Sequence, residues 1–193
     1  MMDAVEKSEE SDLYLISRTR VAMLGLTLPL LNFPKPTVLT GPDSSLALCK
    51  EIVRSGAKRV LVITDGPLFA LGLMNPVVDA LKASGIAVEI FSEIEPDPGY
   101  ELVLNGVKCL NRFKPDAVIA IGGGSSIDAA KSILLCQAND KHPSKLTGIW
   151  LYALPRKKCL PFYAIPTTAG TGSEATIASV VSDKPAKLKY AII

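Results

Sequence analysis

Residues 36–193 predict an α/β fold, a parallel sheet with helices on both faces, followed by a β-rich C-terminal segment. Three observations carry this. Strand-like apolar runs alternate with runs of helical spacing. "KRVLVITD" (58–65) is almost continuously apolar, as a strand buried on both faces is. And "AVIAIGGGSSIDAAKSILL" (117–135) sets three glycines between a strand-like run and a helix-like one, where each gives up more backbone freedom than any other residue would.

The elements follow in order. "TVLTG" (37–41) has strand composition, and "PDSSLALCKEIVRSG" (42–56) is a helix opened by Asp43 or Ser44 and closed at Gly56. After the strand at 58–65, "LFALGLMNPVVDALKASG" (68–85) is helical with a break near Asn75-Pro76, and "IAVEIFS" (86–92) is a strand. "YELVLNGVKCLNRF" (100–113) is a helix, "DAVIAI" (116–121) a strand, and "SSIDAAKSILLCQA" (125–138) a helix opened by Ser125. Residues 139–160 are charged and proline-bearing, an excursion over the surface. From Leu160 onward the composition returns to strands without helical periodicity.

Composition narrows the function classes. The 193 residues are 48% hydrophobic and 21% charged, ordinary for a globular chain. The net charge is +2 and the basic residues are scattered, which gives no footprint for nucleic acid. Cys49, Cys109, Cys136 and Cys159 stand singly, without metal spacing, and fit reduced thiols in a reducing, cytoplasmic compartment. "RVAMLGLTLPLLNF" (20–33) is too short for a membrane span and reads as an amphipathic helix. "KLKYAII" (187–193) ends the sequence on an apolar strand, the pattern of a fragment whose remainder is missing.

The glycines of residues 122–124 fall at the carboxyl end of a parallel strand, where open α/β sheets bind ligands. A helix N-terminus there offers unpaired N–H groups and partial positive charge to a phosphate. A tight strand-to-helix turn is the alternative, although it needs fewer glycines. "IPTTAGTGSEAT" (165–176) places many hydroxyls on a loop after a buried strand, and reads equally as a donor-rich loop or a polar turn. Within it, the GxGxxA spacing from Gly170 to Ala175 precedes a β-branched run rather than a helix, and is accidental. Asp65 ends a strand, where a carboxylate either accepts from a ribose 2′-hydroxyl or serves a turn.

Taken together, "TD" after a buried strand, "GGGSSIDAAK" (122–131), "PTTAGTGSEAT" (166–176) and a lysine shortly after resemble the iron-dependent (group III) alcohol dehydrogenases. The resemblance implies a Rossmann-like, dehydroquinate synthase-like N-terminal domain over residues 36–193 that binds NAD, with NADP less suited. It further implies an N-terminal helical extension at 1–35, and an all-helical domain, absent from this chain, that holds divalent iron. Carried over, Asp65 faces the adenosine ribose, and Gly123, Gly124 and Ser125 hold the pyrophosphate. Thr167, Thr168, Thr171 and Thr176 line the diphosphate and nicotinamide ribose, and Lys189 bonds the cofactor. Asp128 falls near the nicotinamide or else complements the helix dipole.

Three positions depart from the family pattern: Asp97-Pro98-Gly99 replaces Asn-Pro-Thr, Ser126 replaces Pro, and Ala175 replaces Val. Asp97 therefore brings a carboxylate where the family offers an amide to the cofactor. The activity implied is hydride transfer between a small alcohol or aldehyde and NAD(P), by a full-length homo-oligomer. This chain then orients the cofactor and supplies no catalytic residue or metal ligand of its own. A same-fold relative, such as a glycerol dehydrogenase or maleylacetate reductase, and a non-catalytic nucleotide-binding module are the alternatives.

Overall fold

The computed structural model describes residues 36–146 and 158–192. The chain divides into a unit Met1–Val38 and a unit Leu39–Ile193. The helix expected at 20–33, and residues 147–157 of the expected excursion, lie outside the described residues.

The second unit begins with α1 (Ser44–Arg54), whose N-cap Asp43 is in the left-handed conformation and makes no side-chain cap bond. β1 (Arg59–Asp65) leads into the short α2 (Gly66–Ala70) and α3 (Asn75–Ala83), separated where Pro76 enters the first turn of α3. β2 (Ala87–Ile94), α4 (Tyr100–Phe113), β3 (Ala117–Gly122) and α5 (Gly124–Asn139) follow. After a single 3-10 turn at Pro143–Lys145 come β4 (Phe162–Pro166), β5 (Ser179–Asp183) and β6 (Leu188–Ile192).

The sheet is parallel, in the order β2-β1-β3-β4. Strand side chains alternate between its faces. Leu61, Ile63, Val118 and Ala120 pack with Val103 and Leu110 of α4 and Ile127 and Ile133 of α5. Val60, Val62, Ile119 and Ile121 pack with Ile52 of α1 and Val77, Val78 and Leu81 of α3. Helices therefore cover both faces, as the apolar run of β1 requires. β5 and β6 form a separate antiparallel pair, the β-rich C-terminal segment.

One expected strand is not one. Residues 36–40 are exposed and irregular, and join no sheet among the described residues. Branched residues favour a pleated surface only where a neighbouring strand and a face to bury exist.

Candidate dinucleotide site

From β1 the chain crosses to β2 on one side, and β3 lies on the other. A crevice opens outside the carboxyl ends of two such strands. Asp65 ends β1 and Gly122 ends β3, so the switch point brings them together. A Cβ on Gly122 would sit 2.4 Å from Ser126 Oγ and 3.3 Å from Asp65 Oδ2, so no side chain fits there.

The next two glycines meet a different neighbour. A Cβ on Gly123 would lie 3.0 Å from Thr168 Oγ1, and one on Gly124 would lie 3.1 Å from Ser173 Oγ and 3.4 Å from Thr171 Cβ. The hydroxyl-rich loop thus lies directly over the glycine corner. Gly123, not Ser125, is the N-cap of α5, and no side chain caps it. Ser125 sits one residue inside the helix, half-buried. The opening N–H groups of a helix have no intrahelical partner, so an uncapped start leaves them available with the positive end of the dipole.

The loop is anchored at its entry by the N–H of Thr167, which donates to the Gly122 carbonyl at 3.0 Å. Its interior also bonds to itself. The N–H groups of Ala175 and Thr176 donate to the Gly172 carbonyl, and the N–H of Ser173 donates to Thr171 Oγ1. The polar-turn reading of 165–176 therefore holds. Thr167, Thr168, Thr171 and Thr176 are exposed. The GxGxxA segment runs through turns into β5 and opens no helix.

Asp65 is the N-cap of α2: its Oδ1 accepts from the Leu68 N–H at 2.9 Å, and Ser126 Oγ donates to Oδ2 at 3.4 Å. The turn role and a place at the switch point belong to one half-buried carboxylate.

Asp97 and Lys189 meet each other. The ammonium lies 2.9 Å from Asp97 Oδ1, and the Ser182 hydroxyl donates to the same oxygen at 2.5 Å. The Ser182 bond, with Lys189 adding to it, holds the Asp97 carboxyl below its ordinary range. The Ser182 N–H donates to the Pro98 carbonyl at 2.9 Å, so the Asp97-Pro98-Gly99 turn is stitched to β5 and β6. Asp97 itself is left-handed (φ 58), a conformation aspartate tolerates better than most.

Asp128 lies beyond the first turn of α5, so complementing the helix dipole is not its role. Its Oδ2 accepts the Val180 N–H at 3.1 Å, and Lys131 stands 3.6 Å from its Oδ1. Lys131 was missed by the sequence reading. It is 9% exposed and donates to Thr176 Oγ1 at 3.1 Å and to the Ala178 carbonyl at 2.9 Å. Burial pushes its pKa down, opposed by Asp128. Its sequence signal was its place at the end of the 122–131 stretch, a lysine among small and apolar residues of one helix, to which no role was given.

His142 is exposed, N-caps the 3-10 turn, and lies edge-on to Tyr100 with centroids 5.4 Å apart. Among the described residues no group of three or more His, Cys, Asp or Glu side chains could hold a metal ion. No described helix is long and apolar enough to cross a membrane. Cys49, Cys109 and Cys136 are buried thiols.

The doubly wound sheet, with a glycine corner at its switch point, defines an α/β protein of dinucleotide-binding architecture. The iron-containing alcohol dehydrogenase family matches residues 35–193, and the chain belongs to that family. It is 34% identical over 185 residues to the bifunctional aldehyde-alcohol dehydrogenase AdhE of Escherichia coli, covering 92% of this chain and 21% of that protein. To the NAD-dependent methanol dehydrogenase of Bacillus methanolicus it is 35% identical over 161 residues, covering 83% and 42%. The crystal structure of a 1,3-propanediol oxidoreductase superposes with a TM-score of 0.75 at 29% identity, over 84% of this chain and 42% of the other. The chain spans less than half the length of each of these proteins.

Proposed function

We propose that residues 36–193 form the nucleotide-binding part of an alcohol dehydrogenase that passes hydride between a small alcohol or aldehyde and NAD. The observation that carries this reading is the uncapped start of α5 at Gly123, overlain by Thr168, Thr171 and Ser173. Phosphate oxygens are the partner such a start suits: they accept from several N–H groups and complement the dipole. The NAD dependence named for the methanol-acting relative supports the choice of nucleotide.

In this reading Gly123, Gly124 and Ser125 receive the pyrophosphate through backbone N–H groups. The loop hydroxyls of Thr167, Thr168, Thr171 and Thr176 hold the diphosphate and nicotinamide ribose. Asp65 accepts from the adenosine ribose and repels a 2′-phosphate. Asp97 and Lys189 border the cofactor as one neutralised pair, and Asp128 stands near the nicotinamide. When bound, NAD supplies the hydride acceptor, and these residues bind and orient it. The described residues do not fit a divalent metal, so no step through iron is derived for them. A cytoplasmic setting, a homo-oligomeric whole protein and no nucleic-acid partner complete the reading.

The test is calorimetric titration of the chain with NAD and NADP, repeated with Gly124→Val. NAD binding that exceeds NADP binding and disappears in the folded variant supports the reading. Unchanged NAD affinity in Gly124→Val overturns it, because a branched side chain would displace Thr171 and Ser173 from the corner.

A further inference from the structure

Helix α5 holds the far end of the hydroxyl-rich loop, as the Gly122 carbonyl at the end of β3 holds its entry. Three polar side chains on that helix reach the end of the loop and the start of β5. Lys131 donates to Thr176 Oγ1 and to the Ala178 carbonyl. Asp128, one turn earlier, accepts the Val180 N–H, and Ser132 Oγ lies 2.9 Å from Ser179 Oγ. Alternate residues 176, 178 and 180 therefore meet the Lys131–Asp128 pair, while Ser179, between two of them, meets Ser132.

Burying an ammonium is costly, and is sustained only where hydrogen bonds and an opposite charge replace water. Lys131 has all of these: a hydroxyl, a carbonyl, and the carboxylate of Asp128 at 3.6 Å. A surface lysine would do nothing comparable. Removing the ammonium takes a donor from Thr176 Oγ1 and the Ala178 carbonyl and the counter-charge from Asp128, leaving the loop exit to the weaker bonds among its own groups. The same helix starts at the glycine corner, so the grip and the corner are rigidly linked by α5 itself.

We propose that Lys131 is a positioning residue that clamps the exit of the loop to α5 and thereby holds Thr171 and Ser173 over the glycine corner in advance of nucleotide binding. This rests on the proposed nucleotide reading only for its consequence, not for the clamp. The loop's entry is fixed by the Thr167–Gly122 bond and its exit by Lys131, so the intervening hydroxyls have little freedom left to lose on binding. Preorganisation of this kind raises affinity by cutting the ordering cost.

The experiment is amide hydrogen exchange on the full chain and on Lys131→Met, with Thr176→Val as a milder second variant, followed by titration of the parent chain and Lys131→Met with NAD. The clamp predicts that amides of residues 171–180 exchange about tenfold faster or more in Lys131→Met, the scale of one lost hydrogen bond to a charged group. Amides of β1 and β3 keep their rates. Thr176→Val, which removes one acceptor of the three, produces a smaller change in the same amides. NAD affinity weakens in Lys131→Met, while Thr176→Val, whose hydroxyl the proposed reading also sets on the cofactor, is read by exchange alone. If the loop amides of both variants keep the parent rates, the clamp is wrong. If the loop loosens and NAD affinity is unchanged, the preorganising role is wrong. If the parent chain binds no NAD yet the loop loosens in Lys131→Met, the clamp stands and the nucleotide reading fails. Should Lys131→Met lose its fold, Thr176→Val alone decides the exchange arm.

Discussion

Lys189 Nζ lies 2.9 Å from Asp97 Oδ1, so the two residues that the family resemblance assigns to the cofactor neutralise each other. Both are substantially exposed, and each has a ready alternative in water. An anionic pyrophosphate arriving here meets a carboxylate and a lysine already engaged. Asp97→Asn removes the charge, leaves an oxygen for Ser182, and releases the ammonium. The expected outcome is NAD binding tighter by about threefold to tenfold, a gain that shrinks as salt is raised. Fluorescence titration at low and high salt checks it, and weaker binding in the variant contradicts it.

Asp65 is expected to set the nucleotide preference while also capping α2. Asp65→Asn keeps an acceptor for the Leu68 N–H and loses the charge that a 2′-phosphate would face. The NAD-to-NADP affinity ratio should fall by about tenfold in the variant, with the melting temperature little changed. An unaltered ratio would show that the carboxylate does not face the ribose.

Gly106 tests the packing of α4 on α5. A Cβ there would lie 2.2 Å from Ile133 Cδ1 and 2.7 Å from its Cγ1, and Ile133 is fully buried. Gly106→Ala is expected to destabilise the chain by about 1–3 kcal/mol through overpacking. Adding Ile133→Val removes the Cδ1 methyl and should recover part of the loss. Urea unfolding of the two variants measures both effects, and a neutral Gly106→Ala would refute the close approach.

Three buried thiols give the stability a pH dependence, Cys49 among them, pushed up by burial. Burial pushes Cys109 up to about 11, with Glu89 adding to it, and pushes Cys136 up to about 12. In the unfolded chain all three titrate near the ordinary value of 9.0. The folded state therefore holds protons that the unfolded state releases, and stability falls as pH rises above about 9. Below that value their contribution is fully present. Denaturant midpoints measured from neutral to strongly alkaline pH should show the decline, and Cys136→Ala should flatten part of it. None of the three should react with an alkylating reagent at mild alkaline pH before unfolding.

Legibility in the sequence followed the physics of each part. The apolar run of β1, the three-residue and four-residue spacing of α4, and the glycine triplet all carry local signals, and the structure places them as expected. Thr37–Gly41 failed because strand composition cannot say whether a partner strand is present. The cap of α5 moved from Ser125 to Gly123, since a glycine with extended backbone caps without leaving a side-chain signature. The role of Lys131, which closes the 122–131 stretch, was invisible because a lysine in a helix is ordinarily solvated, and only the packing of β5 on α5 buries this one. The Asp97–Lys189 pair joins residues far apart in sequence, which no spacing rule connects.

The central claim is that the carboxyl edge between β1 and β3 receives a dinucleotide. Amide chemical shifts of the isotopically labelled chain, followed while NAD is added, test it most directly. A dinucleotide bound there produces saturable shifts concentrated at Asp65, at residues 122–127 and at residues 167–176. Shifts confined to other surfaces, or none at NAD concentrations that saturate a typical dehydrogenase, would contradict it.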